Sequence, residues 1–439
     1  MHTNSSGIIL GTLSTDESVP LTTEDRRRHV YVIGQTGTGK TGLLTHMMRA
    51  DLDAGRGFCF LDPHGDAAQR VADAVPLARM KDVIYLDPSD ATHTFAYNPL
   101  SGIAPEDRAT ATANIVSAFK NIWAQSWGPR LEYILTNALR LLLETKDQTL
   151  LGLPRLLIDR NFRHRLTKNC TDPVIQAFWR DEYDAYDQRF RNEAIAPIQN
   201  KIGVLLGNPY LRAILCQNAS TLNIAEVMNS GKILIVNLSK GNLGTEPSHL
   251  LGALLITGFA QAAEGRRHMQ EEHREDFTLV VDEFQNFATE SLASILSEAR
   301  KWRLALVAAN QTIGQLPESL QQAVFGNAGT LIAFRVGARD ATLLGDELGM
   351  QNRTALARTN NFQAWVRLMH NGVPMEPRLI KVPPPLPPGG RLARVISGTR
   401  ARHMVPRAQV EARIKILLKK APAKRGSGNA HRNPDALTA

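Results

Sequence analysis

Cysteine is scarce in this chain of 439 residues: Cys59, Cys170 and Cys216 lie far apart and form no CxxC pair. That excludes a disulfide framework or a zinc site as the basis of the fold and suits a reducing cytosol. Long apolar runs are missing too. The longest, Leu250 to Ala263, is too short to cross a bilayer and is interrupted by Gln261. Met1 to Leu13 is polar, without a basic start followed by an apolar core, so no secretory leader is expected. Charge of one sign is also lacking over most of the length. Of the formal +9, a net +10 falls between Arg391 and Ala439, where 12 Lys and Arg meet 2 Asp and Glu, leaving −1 on the remainder. The body is therefore neutral and presents no basic stripe. The basic tail reads either as a solvated terminus or as an electrostatic hold for anionic partners.

What is present is an ordinary globular composition, 43% hydrophobic and 21% charged. Residues 1–27 form an N-terminal segment with two short β-like runs, Ile8-Ile9-Leu10 and Ser18-Val19-Pro20-Leu21. From residue 28 to 104, apolar runs without alternation (His29 to Ile33, Gly57 to Leu61, Asp82 to Leu86) are separated by helical spacing such as Leu43, Leu44, Met47 and Met48. That pattern predicts an α/β fold with a mostly parallel sheet covered on both faces. Residues 105–222 change character. Apolar positions recur every three to four residues, as in Ile115, Phe119, Ile122 and Leu131, Ile134, Leu135, and predict an inserted all-α subdomain. The α/β pattern resumes over 223–373 with runs at 232–238, 277–281, 304–308 and 330–334, for about seven core strands. A stiff proline-rich linker is read at 374–390 and a basic tail at 391–439, the latter with one amphipathic helix through Val410, Ile414, Leu417 and Leu418 before a disordered end from Lys419.

The sharpest motif is Gly34-Gln35-Thr36-Gly37-Thr38-Gly39-Lys40-Thr41, between a predicted strand and a predicted helix. It fits a phosphate-binding P-loop in full. Glycines let the backbone wrap with its N–H groups inward, and the helix adds its positive end. Lys40 reaches the β- and γ-phosphates and the Thr41 hydroxyl ligates magnesium, so ATP and Mg2+ are the expected cofactors. A second, acidic element is needed. The run Phe277 to Val281 ends in Asp282-Glu283: Asp282 to hold magnesium through its water shell, Glu283 to polarise the attacking water.

Three more residues are candidates whose plain alternative stays open. Gln311, after the run ending Ala308-Ala309-Asn310, is either a γ-phosphate sensor or a surface amide in a turn. Arg300 and Arg28 are either cations that neutralise transition-state charge or solvated side chains. Supplied from a neighbouring subunit, such an arginine requires a ring.

Taken together, Gly34 to Thr41, Leu61-Asp62-Pro63-His64-Gly65-Asp66, Val281 to Phe287, Ser297 to Trp302 and Gln311 resemble the HerA/FtsK superfamily of DNA-pumping ATPases. Within it the chain is most similar to the conjugative coupling-protein (TraG/TraD-like) branch of type IV secretion. Phe325 to Thr330, leading to Phe334-Arg335-Val336-Gly337, belongs to the same likeness, which covers about residues 28–350. The resemblance implies a RecA-like core, a hexameric ring and ATP-driven movement of DNA. By it, Lys40, Thr41, Asp282, Glu283 and Gln311 take the roles above, while Arg300 and Arg28 match interface arginines. It also implies a cytoplasmic protein at the inner membrane of a bacterium, docked on membrane-embedded transfer machinery. One departure stands out: this chain has no transmembrane segment of its own, whereas that branch usually begins with membrane-spanning helices. Two other functions stay open at this point, a secretion ATPase with protein cargo and a nucleotide-gated assembly scaffold.

Overall fold

The structure, a computed structural model, describes residues 7–241, 243–370 and 372–419. Fifteen strands occur there. In chain order they are β1 (Ile8–Thr12), β2 (Ser18–Leu21), β3 (Val30–Ile33), β4 (Gly57–Asp62), β5 (Val83–Leu86), β6 (His93–Thr94), β7 (Ile233–Asn237), β8 (Phe277–Val281), β9 (Leu304–Asn310), β10 (Thr330–Ala333), β11 (Gln363–Arg367), β12 (Met369–His370), β13 (Val373–Pro374), β14 (Arg378–Lys381) and β15 (Val405–Pro406).

Eleven of them make one sheet in the order β2-β1-β14-β11-β10-β3-β9-β8-β4-β7-β5. The seven from β10 to β5 run parallel and are the seven core runs read from the sequence. All seven are buried along their length, as strands covered on both faces must be. Along β3 the side chains alternate between the two halves of the core. Tyr31 and Ile33 face one, Val30 and Val32 the other.

The first half of the core carries the helical insertion. Its first helix, Arg108–Ile122, packs onto the 21-residue helix Thr245–Gly265, and the next, Pro129–Glu144, packs on that first helix, with Ile115, Phe119, Leu135 and Leu139 buried in this half of the core. The second half is closed by the helices Lys40–Asp53 and Asp66–Asp73. Among the described residues no helix is long and apolar enough to cross a membrane.

Two features depart from the sequence reading. The sheet continues through β11 and β14, antiparallel strands in a region read as the end of the core and a linker. Only one face of each is buried, so their polar alternation hides them from a search for fully apolar runs. In addition, the basic segment is folded through Lys419, with two helices, Leu392–His403 and Arg407–Lys419, rather than one. Val395 is buried against the core, the Thr399 hydroxyl accepts from the Tyr85 amide at 3.0 Å, and Arg400 pairs with Asp90. β15 then pairs with β6. The arginines that gave the tail its charge cover a few apolar and capping contacts. The disordered end expected beyond Lys419 lies outside the described residues.

Candidate nucleotide site

All seven parallel strands end at one edge of the sheet, and the loop Gly34–Gly39 leaves β3 at its middle. Gly37 and Gly39 have φ of +78° and +120°, conformations that favour glycine. At Gly34 a Cβ would stand 2.5 Å from the Cβ of Phe334. Neighbouring strand ends hold the loop in place: the Gly34 amide donates to the Asn310 carbonyl and the Gln35 amide to the Arg335 carbonyl. Gln35, Thr36 and Gly37 are exposed, whereas Thr38 is buried and its hydroxyl donates to the Gln35 carbonyl at 2.7 Å. Among the described residues the amides of Gly37, Gly39 and Lys40 meet no backbone acceptor. These unpaired donors, at the start of the helix Lys40–Asp53, form a cradle for an anion.

Lys40 bends back over this loop. Its Nζ donates to the carbonyls of Gly34 and Gln35, the second at 3.3 Å. Burial lowers its pKa from the ordinary lysine value, against the charges of Glu283 and Asp282. An ammonium satisfied only by two carbonyls and pressed by burial is poised to donate to phosphate oxygens instead.

Asp282 and Glu283 leave the tip of β8, two strands from the loop. The Thr41 hydroxyl lies 3.4 Å from Asp282 Oδ2. Burial, then the charges of Glu283 and Asp62, push the Asp282 carboxyl up to about 6. Asp62, at the tip of β4, is itself buried and accepts from the amides of His64 and Ala68. A carboxyl unsettled as an anion by two other carboxyls, beside a hydroxyl, is a donor set that fits a divalent cation. Among the described residues no group of three His, Cys, Asp or Glu makes a complete metal site. Magnesium takes few protein ligands and shares the substrate's phosphates.

Glu283 is buried with φ of +46°, a left-handed conformation rare outside glycine. Its carboxylate is gripped from both sides, by Gln311 Nε2 at 2.7 Å on Oε1 and Gln285 Nε2 at 2.7 Å on Oε2. Backbone strain of this kind persists only where surroundings over-determine it, and it concentrates at functional sites.

Lys40, Thr41, Asp282, Glu283 and Gln311 thus come together. Arg28 and Arg300 do not join them. They precede β3 and β9, neighbouring parallel strands, so they sit at the opposite edge of the sheet. Between them His29 is buried with φ of +67°, and its Nδ1 accepts from the Leu306 amide at 3.0 Å. Burial, with the Arg300 charge adding to it, lowers the His29 pKa to about 4. Among the described residues neither the Arg28 nor the Arg300 guanidinium has a hydrogen-bond or ion-pair partner.

Three residues at the site were not assigned roles from sequence: Gln285, Arg335, whose Nε lies 3.4 Å from Gln35 Oε1, and Phe362, whose amide donates to the Thr38 carbonyl. Gln285 carried a signal, standing two residues after Glu283. The other two arrive from strands that only the sheet order places beside β3.

A glycine loop between strand and helix, with an acidic pair two strands away on a parallel sheet, defines a P-loop NTPase of RecA-like fold. A model of the type IV secretion-system coupling protein DNA-binding domain matches residues 14–362, and the chain belongs to that family. Among solved structures it is similar to the bacterial conjugative coupling protein TrwBdeltaN70 in its unbound form (17% identity, 87% of this chain and 89% of that one, TM-score 0.63). It is also similar to the plasmid coupling protein TrwB in complex with ADP and Mg2+ (17% identity, 86% and 90% covered, TM-score 0.61). VirB4 of Thermoanaerobacter pseudethanolicus shares the fold as well, at 14% identity, 87% and 97% coverage and a TM-score of 0.57. No curated protein matches the chain.

Proposed function

We propose that this chain hydrolyses ATP with magnesium and uses the energy to move DNA in conjugative, type IV secretion-related transfer. The single observation that carries the ATPase reading is the meeting of Lys40 and Thr41 on the loop with Asp282 and Glu283 across from it. Lys40 exchanges its two carbonyl partners for phosphate oxygens. Thr41 and Asp282 would hold the magnesium, which when bound would supply charge neutralisation for the phosphates. Glu283, held by Gln285 and Gln311, accepts a proton from the attacking water. Because Gln311 also stands at the tip of β9, its bond to Glu283 links the state of the phosphates to the position of the base.

Family membership supports DNA as the cargo. TrwB structures with an ATP analogue and with ADP and Mg2+ support the cofactors. Under this reading the chain works as a ring of copies, six by the family resemblance. It acts in the cytoplasm at the inner membrane, against membrane-embedded machinery. The test is the ATPase rate without DNA, with single-stranded DNA and with double-stranded DNA, at two salt concentrations. Stimulation by DNA that fades as salt rises is expected, because phosphate contacts release counterions. A rate indifferent to both nucleic acids at low salt would overturn the DNA reading and leave the ATPase standing.

A further inference from the structure

Phe362 is the first residue before β11, and its backbone is left-handed, with φ of +62°. For a bulky aromatic residue that is a genuine outlier. Three anchors impose it. The Phe362 amide donates to the Thr38 carbonyl at 2.8 Å, its carbonyl accepts from the Val382 amide at 2.9 Å, and the next residue is committed to the sheet. The outcome is a ring laid against the phosphate loop: a Cβ on Gly39 would stand 3.3 Å from Phe362 Cδ1.

This ring is 46% exposed and belongs to neither half of the core. Among the described residues one other aromatic side chain, Tyr133, is exposed, and its hydroxyl is engaged by Glu182 while its ring packs on Phe178. Among the described residues Phe362 stacks on no other ring. The strained backbone thus presents a half-exposed aromatic side chain at a binding loop.

Around β3 the strands run β11-β10-β3-β9-β8. Glu283 and Gln311 stand at the tips of β8 and β9 on one flank, and Phe362 at the start of antiparallel β11 on the other, at the same edge. If the γ-phosphate end faces Glu283, the rest of the nucleotide leaves the loop toward β10 and β11. The first helical turn is open there, since a Cβ on Gly42 would meet nothing within 4 Å.

We propose that Phe362 is the platform on which the base of the bound nucleotide stacks. This rests on the nucleotide reading of the loop. Every base has a π-face, so a stacking platform holds adenine and guanine alike, and the site discriminates weakly between ATP and GTP.

The test compares magnesium-dependent binding of ATP, GTP and inorganic tripolyphosphate, which has the phosphates and no base, by calorimetry on the full chain. In Phe362→Ala, ATP and GTP are each expected to weaken about tenfold or more while tripolyphosphate is unchanged. Phe362→Trp should restore binding and have its fluorescence quenched by ATP but not by tripolyphosphate. Phe362→Gly, which suits the left-handed backbone, serves if the alanine variant folds poorly. Unchanged ATP affinity in the alanine or glycine variant overturns the proposal. Equal losses for ATP and tripolyphosphate also overturn it, because Phe362 would then prop the loop rather than hold a base. If the unaltered chain binds neither ATP nor tripolyphosphate, the nucleotide reading itself fails and takes this one with it.

Discussion

The two edges of the parallel sheet differ in how far their charges are satisfied. Where the strands end, Lys40 rests on carbonyls, Asp282 meets Thr41, and Glu283 is gripped by two glutamines. Three carboxylates, Asp62, Asp282 and Glu283, crowd that edge. Where the strands begin, Arg28 and Arg300 flank a neutral His29 and find no partner among the described residues. Arg28 stands before β3 and Gly34 after it, at most about 20 Å apart at 3.3 Å per residue, so Arg28 lies at the far end of the strand from its own loop. Under the proposed function one edge would supply the water-activating base and the metal donors, and the other, through Arg28 and Arg300, further cations for a neighbouring copy. Under the proposed ring, each copy presents its arginine edge to the loop edge of the next, a head-to-tail contact that closes on itself.

The most severe way to break this division is at the carboxylate edge. Glu283→Gln should keep nucleotide binding and lose turnover by about 10²- to 10⁴-fold, as for a displaced general base. A binding titration beside a phosphate-release assay separates the two, and unchanged turnover would remove Glu283 from the chemistry. At the other edge, Arg300→Ala should cost about 10³-fold in rate while ATP still binds. The comparison sharpens when the two losses are mixed. Arg300→Ala combined with Asp282→Ala should regain part of the activity, because mixed rings contain interfaces with both halves intact. Absence of recovery at every mixing ratio would place the arginine and the carboxylate in one chain's site or in none.

How much of this was legible in the sequence follows from what each residue depends on. Gly34 to Thr41 and Asp282-Glu283 are contiguous, and each sits at the end of an apolar run, so composition and position reveal them together. The seven parallel strands were equally plain because burial on both faces leaves them uniformly apolar. Arg335 and Phe362 were not legible as site residues. They flank the loop only because β10 lies beside β3 and β11 beside β10, an order that follows from the sheet and not from neighbours in the chain. The grip on Glu283 was not visible: Gln311 was a candidate as a γ-phosphate sensor, and Gln285 stood in the acidic motif without a role. The folded basic segment escaped for a different reason. Its charges dominate its composition, and the contact that anchors it joins residues more than three hundred positions apart.

That anchor gives the smallest effect of the set. Asp73, at the end of the helix Asp66–Asp73, accepts from the amides of Gly389, Gly390, Arg391 and Leu392, at 2.6 to 2.9 Å. From there the helix Leu392–His403 runs beside β5, with Thr399 on the Tyr85 amide and Arg402 on the Met80 and Val83 carbonyls, and leads to β15, which pairs with β6. The four donors, that of Leu392 first, hold the Asp73 carboxyl down at about 2 from an ordinary 3.8. A depressed carboxyl contributes stability at pH above 3.8 and loses it as pH falls toward 2. The site is open to solvent on one side, so Asp73→Asn should loosen the two C-terminal helices by only about 1 kcal/mol at neutral pH. Hydrogen exchange across 392–419 would show faster opening there, with β3, β8 and β9 unchanged. The gap between the variant and the unaltered chain should close as pH falls through the range from 3.8 to about 2. Exchange that accelerates equally in the loop and at the C-terminal helices would mean that the segment is part of the site's own framework rather than a tie laid across it.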